Sequence, residues 1–211
     1  SLYSKAREEI SWFDFIPEAN REGVARGTDN TDLGAYWTMF HAVLNSISLA
    51  GGYPDAVIPA SEFNVGTSSP NWAIENLCLR TMGNVRLVSS VSGAGSAAFR
   101  VDATVLGTGG YGTRAAYYGA INASGANCDF GWYIKHVQQS KFERIKSRGA
   151  KVAGIHIDGC VSSLFEQPME SAQQEGFISG ATPPIGMHIT GVPGVQTSWS
   201  KFICPIMEYT P

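Results

Sequence analysis

The chain has 211 residues, of which 44% are hydrophobic, 11% aromatic and only 16% charged, with 24 glycines and a formal net charge of -3. A chain of this length can bury a substantial core, and its low charge with ordinary hydrophobicity is the reverse of the balance that keeps chains disordered. The mild acidity gives no electrostatic footprint for nucleic acid, and no apolar run approaches the roughly 20 residues of a membrane span.

Residues 1–22 are the most charged part, with Lys5, Arg7, Glu8 and Glu9 close together. Leu2, Ile10, Trp12, Phe13, Phe15 and Ile16 make the same stretch apolar without a clean period, so it must pack against the rest of the chain or a second chain. SLYSKAREEISWFDF lacks the apolar core of a signal peptide. Pro17 is expected to break any helix there.

The clearest helix follows. Asp29, Asn30, Thr31 and Asp32 are cap candidates before a run from Leu33 to about Leu49. Tyr36, Phe40, Val43, Leu44 and Ile47 recur at helical spacing, and Gly51-Gly52 stops the run. Ala56-Val57-Ile58-Pro59 reads as a short strand. Short apolar pieces then alternate with Gly, Ser and Asn clusters: Val85 to Val88, Ala97 to Val101, Trp132 to Ile134, and Ile155 to Ile157. That texture predicts an all-β architecture. Residues 89–127 read as a long loop or irregular excursion, without the lysine-bearing strand-to-helix motif of a phosphate loop. Cys78, Cys128, Cys160 and Cys204 have no metal-binding spacing and are expected to be buried free thiols.

The last eighty residues hold a degenerate repeat. Gly131-Trp132-Tyr133-Ile134, Gly154-Ile155-His156-Ile157 and Gly186-Met187-His188-Ile189 align. Downstream, Ser140-Lys141-Phe142, Ser163-Leu164-Phe165 and Ser200-Lys201-Phe202 align as a second block. The first two glycines are 23 apart and the next two 32, the excess fitting an insertion around Gln173 to Pro184; extra residues near 191–196 lengthen the third copy. A leucine-rich repeat would show a leucine ladder, which is absent. The period instead predicts a parallel β-helix. Strand alternation then sends Trp132, Ile134, Ile155, Ile157, Met187 and Ile189 inward, with Phe142, Phe165 and Phe202 stacked at the next strand. Tyr133, His156 and His188 form one outward column, and Lys135, Asp158 and Thr190 its neighbour.

Three further motifs carry a resemblance. Asp14-Phe15-Ile16-Pro17, the Val24-Ala25-Arg26-Gly27-Thr28 element, and Asp29 to Asp32 before the helix are similar to the start of bacteriophage tailspikes and other pectate-lyase-like right-handed parallel β-helices. Val57-Ile58-Pro59-Ala60-Ser61-Glu62-Phe63 resembles that family's first-coil strand, with Ser61 where glycine is usual and Phe63 for tyrosine. The resemblance spans residues 10–211, apart from 89–127. It implies an all-β, right-handed parallel β-helix with an N-terminal capping α-helix. Residues 1–28 would be a particle-proximal neck, and 29–211 the capping helix and first coils. It further implies a homotrimer in the virion tail, assembled in the host cytoplasm and acting at the bacterial surface. Such a protein joins tail or baseplate proteins through its N-terminal segment, and recognises and often cleaves a surface polysaccharide, capsule or O-antigen. Full tailspikes run for many more coils, so the chain is expected to be a particle-proximal part or a short structural member. The alternative is a non-enzymatic virion component or adaptor presenting another receptor-binding protein.

The candidate chemistry follows from the outward positions. Glycoside hydrolysis needs two carboxyl groups about 5–9.5 Å apart; Asp158 and Glu166 on one coil, with Glu143 one coil below, are the candidates. Their ordinary alternative is a solvated face beside Lys135, Arg144 and Lys146. His156 stands two residues from Asp158 and one coil below His188, an arrangement suited to a general base or, otherwise, to a stacked polar ladder. Tyr133, Tyr117, Tyr118 and His188 are the candidates for sugar contacts, with trimer-interface packing as the alternative for the tyrosines. No metal site and no cofactor is expected, and neither nucleic acid nor membrane insertion.

Overall fold

The computed structural model describes residues 9–106, 113–114, 116–171, 185–191, 197, 200–203 and 206–208. In chain order, β1 (Ile10–Ser11) leads through a 3-10 turn (Trp12–Asp14) to helices α1 (Glu18–Arg26) and α2 (Gly34–Leu49). Strands β2 (Asp55–Asn64), β3 (Cys78–Val88) and β4 (Ala97–Asp102) follow, then a 3-10 turn at Ala103–Leu106. Short strands come next: β5 (Thr113–Arg114), β6 (Tyr117–Tyr118), β7 (Ile121–Ser124), β8 (Phe130–Lys135), β9 (Val137–Gln138), β10 (Lys141–Glu143) and β11 (Lys146–Arg148). The last are β12 (Ala153–Asp158), β13 (Leu164–Glu166), β14 (Met169–Ser171), β15 (Ile185–Thr190), β16 (Lys201–Ile203) and β17 (Ile206–Glu208).

Helix α1 exists because Pro17 precedes it. As N-cap, Pro17 has the extended ψ of 138° and lacks only an amide that a helix start leaves unbonded anyway. Gly27 ends the helix at φ 69°, donating its amide back to the last turn. In α2 the capping acceptor is Asp32, whose Oδ1 accepts from the Gly34 amide at 2.8 Å. Its buried stripe is Trp37, Phe40 and Leu44, extended by Leu33, whereas Tyr36, Val43 and Ile47 are only half-buried.

The strands form parallel ladders in three sheets among the described residues. Sheet A has eleven strands and branches. Strands β2 and β3 pair along their length, with a register shift between Pro59 and Ser61. The far edge of β3 then divides, Cys78–Leu79 pairing with β6 and Val85–Val88 with β7. From these grow the branches β6-β10-β13-β16 and β7-β11-β14-β17. Sheet B runs β15-β12-β8-β4, and β5 pairs with β9.

This arrangement corrects the expected class. Among the described residues the chain is mixed α/β, with two helices and parallel strands in sheets A and B, and not an all-β right-handed parallel β-helix. Two physical causes stand out. A second helix, Glu18–Arg26, starts directly after Pro17, and the long β2–β3 ladder gathers two strand columns into one branched sheet.

The repeat alignment is realised as ladder register. Trp132, Ile155 and Met187 are partners, as are Tyr133, His156 and His188. Phe142, Phe165 and Phe202 pair in register and stack at 4.9 and 4.8 Å within 7° of parallel. Ser163 and Ser200 hydroxyls each accept the amide of the serine one repeat earlier at 3.3 Å. Gly131 must be glycine, since a Cβ there would lie 1.9 Å from Ser147 Oγ.

The described residues of 89–127 hold an earlier copy of the repeat, where a loop or irregular excursion was expected: Phe99 pairs with Trp132, and Tyr118 with Phe142. Residues 107–112 and 115 lie outside the described residues, as do 172–184 and 192–196, where the expected insertions fall. Ile189 shares the register of Ile157 but is 46% exposed, because β15 is an edge strand of sheet B.

One core joins both sides of position 28. Trp12 meets Trp37 at 5.2 Å, Trp37 meets Trp72 at 4.6 Å, and Phe99 links Trp72 to Trp132 at 5.4 and 4.3 Å. All five rings are fully or almost fully buried, each contributing on the order of 1.5–3 kcal/mol of apolar burial. Cys78, Cys128 and Cys160 are free thiols; burial pushes Cys160 up to about 12, so it packs as a small hydrophobe. Cys204 lies outside the described residues.

Candidate functional site

The outer face of sheet B carries two side-chain columns. Parallel register places Arg100, Tyr133, His156 and His188 on successive strands, and beside them Asp102, Lys135, Asp158 and Thr190. Neighbouring strands are about 4.8 Å apart, which is close to the stacking distance of flat side chains. The first column uses that coincidence. Arg100 lies over the Tyr133 ring at 4.6 Å, and His156 covers the other face at 5.1 Å and 2°. His188 follows at 4.9 Å, its Nδ1 3.1 Å from His156 Nδ1. That contact requires one ring to donate and the other to accept, so the pair holds at least one neutral imidazole. Burial first, and then the neighbouring His188 charge, hold the His156 pKa below its ordinary value. At neutral pH His156 is therefore a neutral ring.

In the second column Lys135 Nζ stands 3.8 Å from Asp158 Oδ2, and Asp102 pairs with Arg100 at 3.5 Å. Asp158 is 5% exposed, and its Oδ1 is buried with no hydrogen-bond partner among the described residues. A shielded carboxylate oxygen without a donor costs about 1–3 kcal/mol, more where it is charged, so it is a socket for a donor.

His136 adjoins this column and was not expected. It occupies a left-handed turn, φ 55°, where the next repeat has Gly159 at φ 59°. A non-glycine residue there is uncommon. Its Nδ1 lies 3.2 Å from Thr104 Oγ1, which is 2.5 Å from Asp102 Oδ1. The short oxygen–oxygen contact takes the threonine proton, so Thr104 accepts from His136 Nδ1. Nε2 is left as a buried lone pair without a partner among the described residues. Burial, with Lys135 second, lowers the His136 pKa.

The expected site residues separate. His156, His188, Tyr133 and Asp158 share this face. Both faces of Tyr133 are covered, so it offers a ring edge and hydroxyl rather than a sugar-stacking plane; His188 is the exposed end of the stack. Glu143, Glu166 and Tyr117 belong to a branch of sheet A. There Lys141 Nζ bridges Glu143 at 2.8 Å and Glu166 at 2.9 Å, and the Tyr117 hydroxyl donates to Glu143 at 3.1 Å. The Lys141 hydrogen bond holds Glu143 below the usual carboxylate range, opposite to what a general acid requires. Tyr118 is a correction. It is fully buried, stacked on Phe142 at 4.8 Å, and donates to the Trp72 carbonyl at 2.7 Å. It belongs to the core.

Arg100, Asp102, Thr104 and His136 escaped the sequence reading. Arg100 and Asp102 were legible in principle, since Phe99-Arg100-Val101-Asp102 has the apolar–polar alternation of Trp132 to Lys135 without the leading glycine. Among the described residues no group of three or more His, Cys, Asp or Glu is placed to hold a metal ion. No helix among them is long and apolar enough to cross a membrane. No protein-family model, curated protein or solved structure matches the chain.

Proposed function

We propose that this chain is a phage tailspike-like virion protein that recognises bacterial surface polysaccharide during host adsorption, and that the outer face of sheet B makes the contact. The observation that carries the reading is Asp158 Oδ1, buried and without a donor among the described residues, beside the Lys135 ammonium and the His156–His188 pair. A sugar hydroxyl donates and accepts at once, and so suits a carboxylate oxygen next to a cation. The stacked column adds a rigid row of ring edges ending at exposed His188, which loses little side-chain freedom on binding. The motifs at Asp14–Pro17, Val24–Thr28 and Val57–Phe63 supply the phage side of the reading, including a homotrimer joined to tail proteins through its N-terminal segment.

Recognition is the activity assigned to this face. The carboxyl pair on sheet A is bridged by Lys141, whose hydrogen bond holds Glu143 in its charged form. Binding of purified capsule or O-antigen polysaccharides to the immobilised chain tests the reading. Asp158→Asn and His188→Ala are each expected to weaken binding at least about 10-fold, the size of one lost charged hydrogen bond, with no new reducing or unsaturated ends. Equal binding by both variants would overturn the assignment of this face.

A further inference from the structure

Parallel register also builds a column on sheet A, away from the sheet B face. Glu62, Arg86, Asn122 and Lys146 are direct partners on β2, β3, β7 and β11. They form part of the lining of a cleft of about 530 Å³, walled on one side by Arg26 and Gly27 at the end of α1. That volume lies in the range of about 300–1,000 Å³ typical of small-molecule sites.

The charges are mostly matched. Glu62 pairs with Arg86 at 3.1 Å, and Arg26 with Glu22 at 2.6 Å. Lys146 has no ion pair among the described residues, which leaves one uncompensated cation in the cleft. Two polar atoms of the same column are buried without partners among the described residues: Arg86 Nε, a donor, and Asn122 Oδ1, an acceptor. With the Lys146 ammonium they give donor, acceptor, donor on three successive strands about 4.8 Å apart.

We infer that this cleft binds a hydroxylated carboxylate of the uronic-acid type, the carboxylate taken by Lys146, a neighbouring hydroxyl donating to Asn122 Oδ1 and a sugar oxygen beyond it accepting from Arg86 Nε. A neutral sugar leaves the lysine uncompensated, and sulfate, which carries no hydroxyl at neutral pH, leaves the asparagine oxygen without a donor. The sugar part of the assignment rests on the polysaccharide reading above; the anionic part does not.

The test is a chemical-shift titration of the full chain with glucuronate, glucose and sulfate, following the Asn122 side-chain amide. Glucuronate is expected to shift it saturably, with glucose and sulfate at least 10-fold weaker. Lys146→Ala and Lys146→Gln are each expected to weaken glucuronate at least 10-fold, and Lys141→Ala, which removes a cation held in ion pairs away from the cleft, to leave it unchanged. An unmoved Asn122 amide, or equal affinity in the Lys146 variants, would overturn the site. Sulfate binding as tightly as glucuronate would overturn the sugar class, and an equal loss in Lys141→Ala would make the effect one of net charge and not of this cleft.

Discussion

Sheet B and the β6-β10-β13-β16 branch of sheet A are built by the same rule, yet present their ionisable groups differently. In both, parallel register stacks like positions: Tyr133, His156 and His188 on one, Tyr117 beside Lys141, and Glu143 beside Glu166, on the other. On the sheet A branch the groups reach water and neutralise each other through Lys141. On sheet B, Asp158 and His156 are 5% and 9% exposed, and Asp158 keeps an oxygen without a donor among the described residues. The difference is water access. A solvated column spends its charges internally, and a dry one keeps unmet hydrogen-bonding capacity.

The sharpest way to break this comparison lies beneath the solvated column. Phe142 is stacked between Tyr118 and Phe165 and fully buried, so Phe142→Ala is expected to cost about 3–5 kcal/mol in denaturant unfolding. Tyr118→Phe leaves the stack but removes one of the two donors to the Trp72 carbonyl, which keeps the Ile74 amide at 2.8 Å, with an expected loss of about 0.5–1.5 kcal/mol. If it costs nothing, the buried hydroxyl is not holding β6 to the core.

The dry column is sharpened by pH. The lowered pKa values of His156 and His136 mean that the folded state prefers neutral rings. Their stabilising contribution is complete above the unfolded value of about 6.5 and declines as pH falls through it toward the folded values. Thermal melts at pH 7.5 and 5.5 should show a drop that is smaller in His156→Gln and in His136→Gln. An identical drop in both variants would remove these rings from the account. The smallest effect is expected from Lys141→Ala. Its ion pairs are solvated and worth less than about 1 kcal/mol by double-mutant cycle.

Much of this molecule was legible residue by residue. The alignment of three glycine-led segments gave the register of β8, β12 and β15, because a repeated spacing constrains which residues can be partners. It did not give the class. Pro17 reads locally as a helix breaker, and only its place before Glu18 makes it a helix start. Trp37 was overlooked as the centre of the α2 stripe, since Tyr36 fitted the same period one position away. Much of the candidate face was legible, through Tyr133, His156 and His188 in one column and Lys135, Asp158 and Thr190 in the other. The rest was hidden because β4 lacks the leading glycine and because His136 stands where its repeat partner is Gly159. Tyr118 was misplaced by its glycine-rich surroundings, which suggested a loop; register with Phe142 puts it inside.

The central claim is that the dry face, and not the solvated one, meets the polysaccharide. Its most direct test is a side-by-side affinity measurement of Asp158→Asn and Glu166→Gln against one polysaccharide bound by the native chain. The expected result is a loss of at least about 10-fold for Asp158→Asn and less than about 2-fold for Glu166→Gln. The reverse order would contradict the account.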